Sequence, residues 1–292
     1  MVQHALRFAL ACALCLSPLW GSAQVRVLDD RGDALVLPHA PQRIVSLLPS
    51  ITETVCALQQ CHRLVGVDRY SDFPPSVKTL PQMGGGLDPN IEAIVAARPD
   101  VVLMARSSRA TPRLKQLGIQ VLELEPLNYK DIERVTLTLG RLLQVDHAQA
   151  LWQSIERDLA AAAQQVPPQA RGARVYFEAS LGGYAASESS FIGETLQRLG
   201  LANVVPAALG QFPKLNPEFV ARANPDLIMT GEHTAQELAK RPGWQSLPAV
   251  RAGHVCAFAS ADANTLVRPG PRIAQGAQAV VECLRHTLGA PT

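Results

Sequence analysis

The chain has 292 residues, with 27 lysines and arginines against 25 acids and a formal net charge of +2. Residues 1–23 hold Arg7 and no acid, so without them 26 cations face 25 acids. That balance argues against nucleic acid or an anionic membrane as the partner. About 269 residues remain, enough for two lobes with separate cores.

Met1 to Trp20 carries one arginine and the apolar run FALACALCLSPLW, and Gly21-Ser22-Ala23 supplies small residues for cleavage. The pattern predicts a cleaved signal peptide over 1–23 and an exported protein. The run is too short to span a bilayer, and neither Cys12 nor Cys15 follows a lipobox.

Short aliphatic runs then alternate with helical patterns. RIVSLL (43–48), LVGV (64–67), VVLM (101–104) and VLEL (121–124) form one group; RVYF (174–177), DLIM (226–229) and HVCAFA (254–259) form another. This is the alternation of parallel sheets covered by helices. In PSITE, Ser50 and Glu53 have capping-box spacing and predict a helix start. Four cysteines lie beyond residue 23, an even number that suggests disulfides in an oxidising compartment. A Cys56–Cys61 bridge would close a helix end, and Cys256–Cys283 would need a strand facing the last helix; buried free thiols are the alternative. Gly84-Gly85-Gly86 reads as a flexible or close-packed edge.

EAIVAARPDVVLM (92–104) and EFVARANPDLIM (218–229) repeat one pattern: a glutamate, apolar residues at helical spacing, Pro-Asp seven residues on, and an aliphatic run. Asn90 and Asn216 are N-cap types that put Glu92 and Glu218 in the first helical turn, where an acid meets the positive end of the helix dipole. Pro99 and Pro225 end these helices. Between the groups, DHAQALWQSIERDLAAAAQQ (146–165) carries Ala148, Leu151, Trp152, Ile155, Leu159 and Ala163 on one stripe. It predicts a single helix of about 30 Å, stopped by Pro167-Pro168. The organisation expected is an α/β N-terminal lobe (24–145), a linking helix (146–165) and an α/β C-terminal lobe (166–292), with little reorientation on ligand binding because one helix offers no hinge.

RIVSLLPSITETVCAL, VGVDRYSDFPP, GGLDPNIEAIVAARPDVVLM and RPGPR resemble the substrate-binding proteins of bacterial ABC importers for cobalamin, iron chelates and haem, and VGVDRYSDFPP most resembles the cobalamin receptors. The resemblance implies two Rossmann-like lobes joined by a single long α-helix, the class III periplasmic binding protein architecture. It implies a periplasmic monomer that holds cobalamin (vitamin B12) or a related corrinoid between its lobes and delivers it to an inner-membrane permease dimer. Glu92 and Glu218 are then the acids that dock on the permease. Tyr70 matches the receptors' ring-contacting tyrosine, Phe212 a position of tryptophan in close relatives, and Asp262 and Arg268 the polar loop that leads into the last helix; Tyr184 lies near another aromatic position. Where enterobacterial receptors have tryptophans flanking the docking helix, this chain has Gly86 and Ala105.

Haem, with Tyr70 or Tyr184 as iron ligand, and a ferric siderophore, with Arg268, Arg69 and Arg106 as cations, are the alternative cargoes. His39, His62, His147, His233, His254 and His286 are scattered without paired spacing, so no bare-metal site is expected, and no cofactor other than the transported ligand. A secreted α/β enzyme is the remote alternative: there is no G-x-S-x-G, no H-E-x-x-H and no phosphate loop, Leu87 and Asp88 following the glycines where Gly-Lys would be required.

Overall fold

The computed structural model describes residues 24–180, 182–231, 237–238 and 240–288. The expected signal peptide, Cys12, Cys15 and His233 lie outside the described residues. The first described element is an antiparallel hairpin of β1 (Val25–Leu28) and β2 (Ala34–Leu37). Val25, Val27, Leu35 and Leu37 alternate inward, the period-2 pattern of a half-buried pair.

Strands β3 (Ile44–Ser46), β4 (Leu64–Val67), β5 (Val101–Met104) and β6 (Val121–Glu123) form a parallel sheet in the order β4-β3-β5-β6. Helices α1 (Pro49–Ala57), α2 (Ile91–Ala96), α3 (Thr111–Gln116) and α4 (Tyr129–Leu143) cover it. The strands are buried on both faces: Ile44, Val101, Leu103 and Leu122 pack with Ile51 and Leu139, while Val45, Val102, Met104 and Val121 pack with Ile94 and Leu114. Helix α1 does not begin with a capping box. Pro49 is its first residue, Leu48 is its N-cap and no side chain caps it; proline needs no donor there. Glu53 is instead drawn to arginines of the other lobe, and the buried Ser50 hydroxyl finds no partner among the described residues.

Helix α5 (Ala148–Gln164) is the crossing element, about 25 Å long at 1.5 Å per residue. It starts two residues later than residue 146 because α4 stops on Gln144, in the left-handed conformation, and the chain turns through Val145 to His147. The two helices cross at Gly140, where a Cβ would lie 2.4 Å from the Ala148 Cβ. Ala148 belongs to the N-terminal core, while Trp152, Ile155, Leu159 and Ala162 belong to the C-terminal one. Conversely, Tyr129 and Ile132 of α4 reach into the C-terminal core. Two helices, each embedded in both lobes, therefore make the joint.

The second sheet contains β7 (Arg174–Ser180), β8 (Tyr184–Ala185), β9 (Ala202–Asn203), β10 (Leu227–Gly231) and β11 (Val255–Phe258), with α6 (Phe191–Arg198), α7 (Pro217–Ala223), α8 (Pro248–Arg251), α9 (Ser260–Val267) and α10 (Ile273–Thr287) around it. Its parallel part runs β9-β7-β10-β11, which repeats the order of the first sheet; β8 adds antiparallel to the end of β7. Disulfides join Cys56 of α1 to Cys61 and Cys256 of β11 to Cys283 of α10.

The sequence repeat is a repeat of structure down to single hydrogen bonds. Asn90 caps α2 by accepting from the Ala93 N–H (2.9 Å), and Asn216 caps α7 by accepting from Phe219 (2.8 Å). Ile94 and Val220 plug the cores. Arg98 and Asn224 end the helices at φ 45° and 44°. The Asp100 carboxylate accepts the Arg43 N–H while the Arg43 guanidinium donates to the carbonyls of Ala97 and Arg98; Asp226, Arg174, Ala223 and Asn224 do the same in the other lobe.

Candidate ligand cleft and docking faces

Parallel sheets bind ligands beyond the carboxyl ends of their strands. In the first sheet that position is held by the segment after β4, Asp68 to Phe73. Asp68 is 1% exposed, and its Oδ1 accepts the Tyr70 N–H (2.8 Å) while its other oxygen accepts the Ser71 hydroxyl (2.5 Å). Ser71 continues the chain to Thr52 and Ser46 beneath the floor. Burial raises the Asp68 pKa, against the opposing hydrogen bonds from Ser71 and the Tyr70 amide. The anchored backbone leaves the Tyr70 ring 62% exposed, with Phe73 beside it at 38%.

In the second sheet, residues 182–185 and 211–215 pair across Ala185 N–H to Pro213 (3.0 Å) and Leu215 N–H to Gly183 (2.9 Å), which brings Tyr184 and Phe212 into neighbouring segments. Both rings are exposed; Phe212 leans on Phe191 with centroids 5.8 Å apart. The rings of Tyr70, Tyr184 and Phe212 thus stand exposed on the two lobes, as does that of Phe73.

Side chains also join the lobes directly. The Gln211 side chain donates to the Leu127 carbonyl (3.2 Å). Arg268 and Arg272, in the segment between α9 and α10, converge on Glu53 of α1. Arg272 donates to both Glu53 oxygens (2.8 and 2.6 Å) and Arg268 to one (3.0 Å). Arg268 also donates to Asp72 (2.6 Å) and to the Tyr70 carbonyl (3.0 Å), and the Arg272 guanidinium lies 3.9 Å from the Phe73 ring centroid. Burial works to lower the Arg268 pKa, but Asp72 and Glu53 outweigh it and leave the pKa raised. Gly270 completes the contact: a Cβ there would sit 3.2 Å from Ser50.

Sequence reasoning missed Glu53, Asp68, Asp72, Phe73 and Arg272, and it placed Arg268 without its partners. Arg268 is 11% exposed and held by two acids. Asp262 stands exposed in the first turn of α9, two residues before Asn264, whose amide reaches Asp72 (3.4 Å). Arg69 pairs with Asp88 (2.6 Å), and Arg106 donates to the Asp30 carbonyl (3.4 Å) and makes no ion pair among the described residues.

The triple glycine is close-packed. A Cβ on Gly84 would lie 2.6 Å from the Asp88 carbonyl oxygen and one on Gly86 2.9 Å from that of Leu47. A tryptophan cannot stand at 86 on this backbone; the exposed apolar residue there is Leu87. Glu92 and Glu218 both project exposed from their helix starts, and neither makes an ion pair among the described residues. Among the described residues no group of three or more His, Cys, Asp or Glu could hold a metal ion, and no helix is long and apolar enough to cross a membrane.

Residues 44–261 match the family model described as periplasmic binding protein. The chain is 28% identical over 274 residues to a cobalamin-binding protein of Halobacterium salinarum, covering 89% of this chain and 73% of that one. A periplasmic heme binding protein from Pseudomonas aeruginosa has a similar structure, with a TM-score of 0.70, 27% identity and coverage of 86% and 94%. The periplasmic vitamin B12 binding protein of Vibrio cholerae is similar in fold, with a TM-score of 0.70, 24% identity and coverage of 85% and 98%. The class III architecture of two α/β lobes and a long helix is therefore the fold of this chain. It belongs to the periplasmic binding protein family, a family of transporter binding proteins.

Proposed function

We propose that this protein captures cobalamin or a related corrinoid between its lobes and delivers it to the permease dimer of an ABC importer, working as a periplasmic monomer freed of residues 1–23. One observation carries the choice of ligand: aromatic rings stand exposed on both lobes, while Arg268, Arg272 and Arg69 are taken up by acids and, of the arginines considered, Arg106 alone is not. Arg268 and Arg272 are bound to Glu53 and Asp72, and Arg69 to Asp88. An anionic ferric siderophore would need those guanidiniums. A corrinoid, with apolar faces and a rim of neutral amides, needs what Tyr70, Phe73, Tyr184 and Phe212 offer, with Asp262 as a polar contact. Haem is the second reading, favoured by the exposed phenols of Tyr70 and Tyr184, either of which can ligate iron.

Calorimetric titration of residues 24–292 with cyanocobalamin, cobinamide and haemin tests this. Both corrinoids should bind stoichiometrically and be recovered unchanged, and Tyr70→Ala and Phe212→Ala should each weaken binding by about 1 to 3 kcal/mol. Tight haemin binding with no heat from cobalamin would transfer the protein to the second reading, and turnover of the ligand would make it an enzyme. Glu92 and Glu218 are the docking acids in this proposal: repeated units present each at an exposed helix start, which suits two equivalent basic pockets of a symmetric permease.

A further inference from the structure

The segment that carries Tyr70 and Phe73 belongs to the N-terminal lobe, yet much of what fixes it comes from the other lobe. Its own lobe supplies Asp68, which accepts the Tyr70 N–H. Its own lobe also ties Ser71 to Asp68 and Thr52, and the C-terminal lobe adds further contacts: Arg268 donates to the Tyr70 carbonyl and to Asp72, Asn264 donates to Asp72, and Arg272 covers one face of Phe73. Glu53 holds both arginines in place. The peptide units flanking Tyr70 are thus held on the N–H side by one lobe and on the carbonyl side by the other.

We propose that Arg268 is a positioning residue for ligand binding: it acts on the ligand through the Tyr70 segment, without touching the ligand, so that one side chain links the contact between lobes to the shape of the site. This rests on the reading of Tyr70 as a ring contact. Three features support it. The guanidinium is 11% exposed, so little of it faces a ligand. Its Nη1 donates to two carboxylates and its Nη2 to a carbonyl, a fork that a single ammonium cannot reproduce. The Tyr70 side chain leaves that backbone clasp 62% exposed, so fixing the backbone pre-orders the ring without burying it.

The test is a mutant cycle on the full mature chain with cyanocobalamin, together with amide exchange on the ligand-free protein. Arg268→Ala should weaken binding about tenfold in the wild-type background and by less than about twofold in Tyr70→Ala, because the two act as one unit. Arg268→Lys should recover only part of the loss. In ligand-free Arg268→Ala, amides of residues 69–73 should exchange faster while those of β3 and β10 keep their protection. Additive losses, about a hundredfold in the double variant, would make Arg268 a direct ligand contact and overturn the proposal. Unchanged affinity of Arg268→Ala, or unchanged exchange at 69–73, would overturn it by itself. Wild-type affinity in Tyr70→Ala would remove the reading of Tyr70 first, and the proposal with it.

Discussion

Replacing Glu53 by glutamine perturbs the joint between the lobes without changing its volume. Glu53 is 3% exposed and accepts three charge-assisted hydrogen bonds from two arginines whose side chains are each 11% exposed. Taking one partner out of a buried pair costs about 3 to 5 kcal/mol, since the remaining charge stays desolvated. Here the two arginines are not equally stranded. Arg268 keeps Asp72, and Arg272 keeps only the face of Phe73, so the loss should sit near the lower bound, about 3 kcal/mol. At about 2 to 4 °C per kcal/mol for a chain approaching this size, the melting temperature of Glu53→Gln should fall by about 6 to 12 °C. Differential scanning calorimetry reads this directly. A fall below about 2 °C, the scale of an exposed ion pair, would show that Glu53 and its arginines do not hold the lobes together and refute the reasoning.

Burial raises the Asp68 pKa above its ordinary value of 3.8. Between that value and the raised one, the native state binds more protons than the unfolded chain. The stability Asp68 contributes is therefore full below 3.8 and is lost as pH rises through the folded pKa. The melting-temperature difference between wild type and Asp68→Asn should shrink as pH rises through this window; a difference that grows would mean the hydrogen bonds dominate burial. The double variant Glu92→Arg, Glu218→Arg should bind ligand normally yet dock poorly on the permease and transport slowly in proteoliposomes, each single change giving a partial defect that deepens with falling salt. Normal transport by the folded double variant would leave these acids only their helix-dipole role, worth about 0.3 to 1 kcal/mol each.

What was legible in the sequence was whatever depends on neighbours in the chain. Strands β3 to β7, β10 and β11 were announced by aliphatic runs, and the caps at Asn90 and Asn216 by their distance from Glu92 and Glu218. The hairpin β1-β2 and helix α4 were overlooked although their signals are local: Val25, Val27, Leu35 and Leu37 alternate, and Ile132, Val135, Leu139 and Leu142 recur at helical spacing. Glu53 failed for a deeper reason. Ser-x-x-Glu is a good local pattern for a cap, and nothing nearby in sequence competes with it. The competitors are Arg268 and Arg272, 215 and 219 residues away, and two buried cations outweigh one backbone amide at a helix start.

The same distinction explains why the two proposed docking acids were visible and the proposed cleft was not. The acids Glu92 and Glu218 are placed by units that close on themselves: Asn cap, buried Ile94 or Val220, left-handed Arg98 or Asn224, and an Asp that grips the arginine at the start of the neighbouring strand. Arg43 and Arg174 are the only members that lie far from the repeat, and they escaped notice for that reason. A self-contained unit can be written twice, and its sequence then displays it twice. The cleft has no such copy. Phe73, Asp72 and Tyr70 on one side meet Arg268 and Arg272 on the other, with no repeated partner in either lobe, because a ligand bound between two lobes contacts them with different faces. Under the proposed function, symmetry is kept where the permease is symmetric and lost where the ligand is not, so the residues that break the repeat are the ones that would carry ligand specificity.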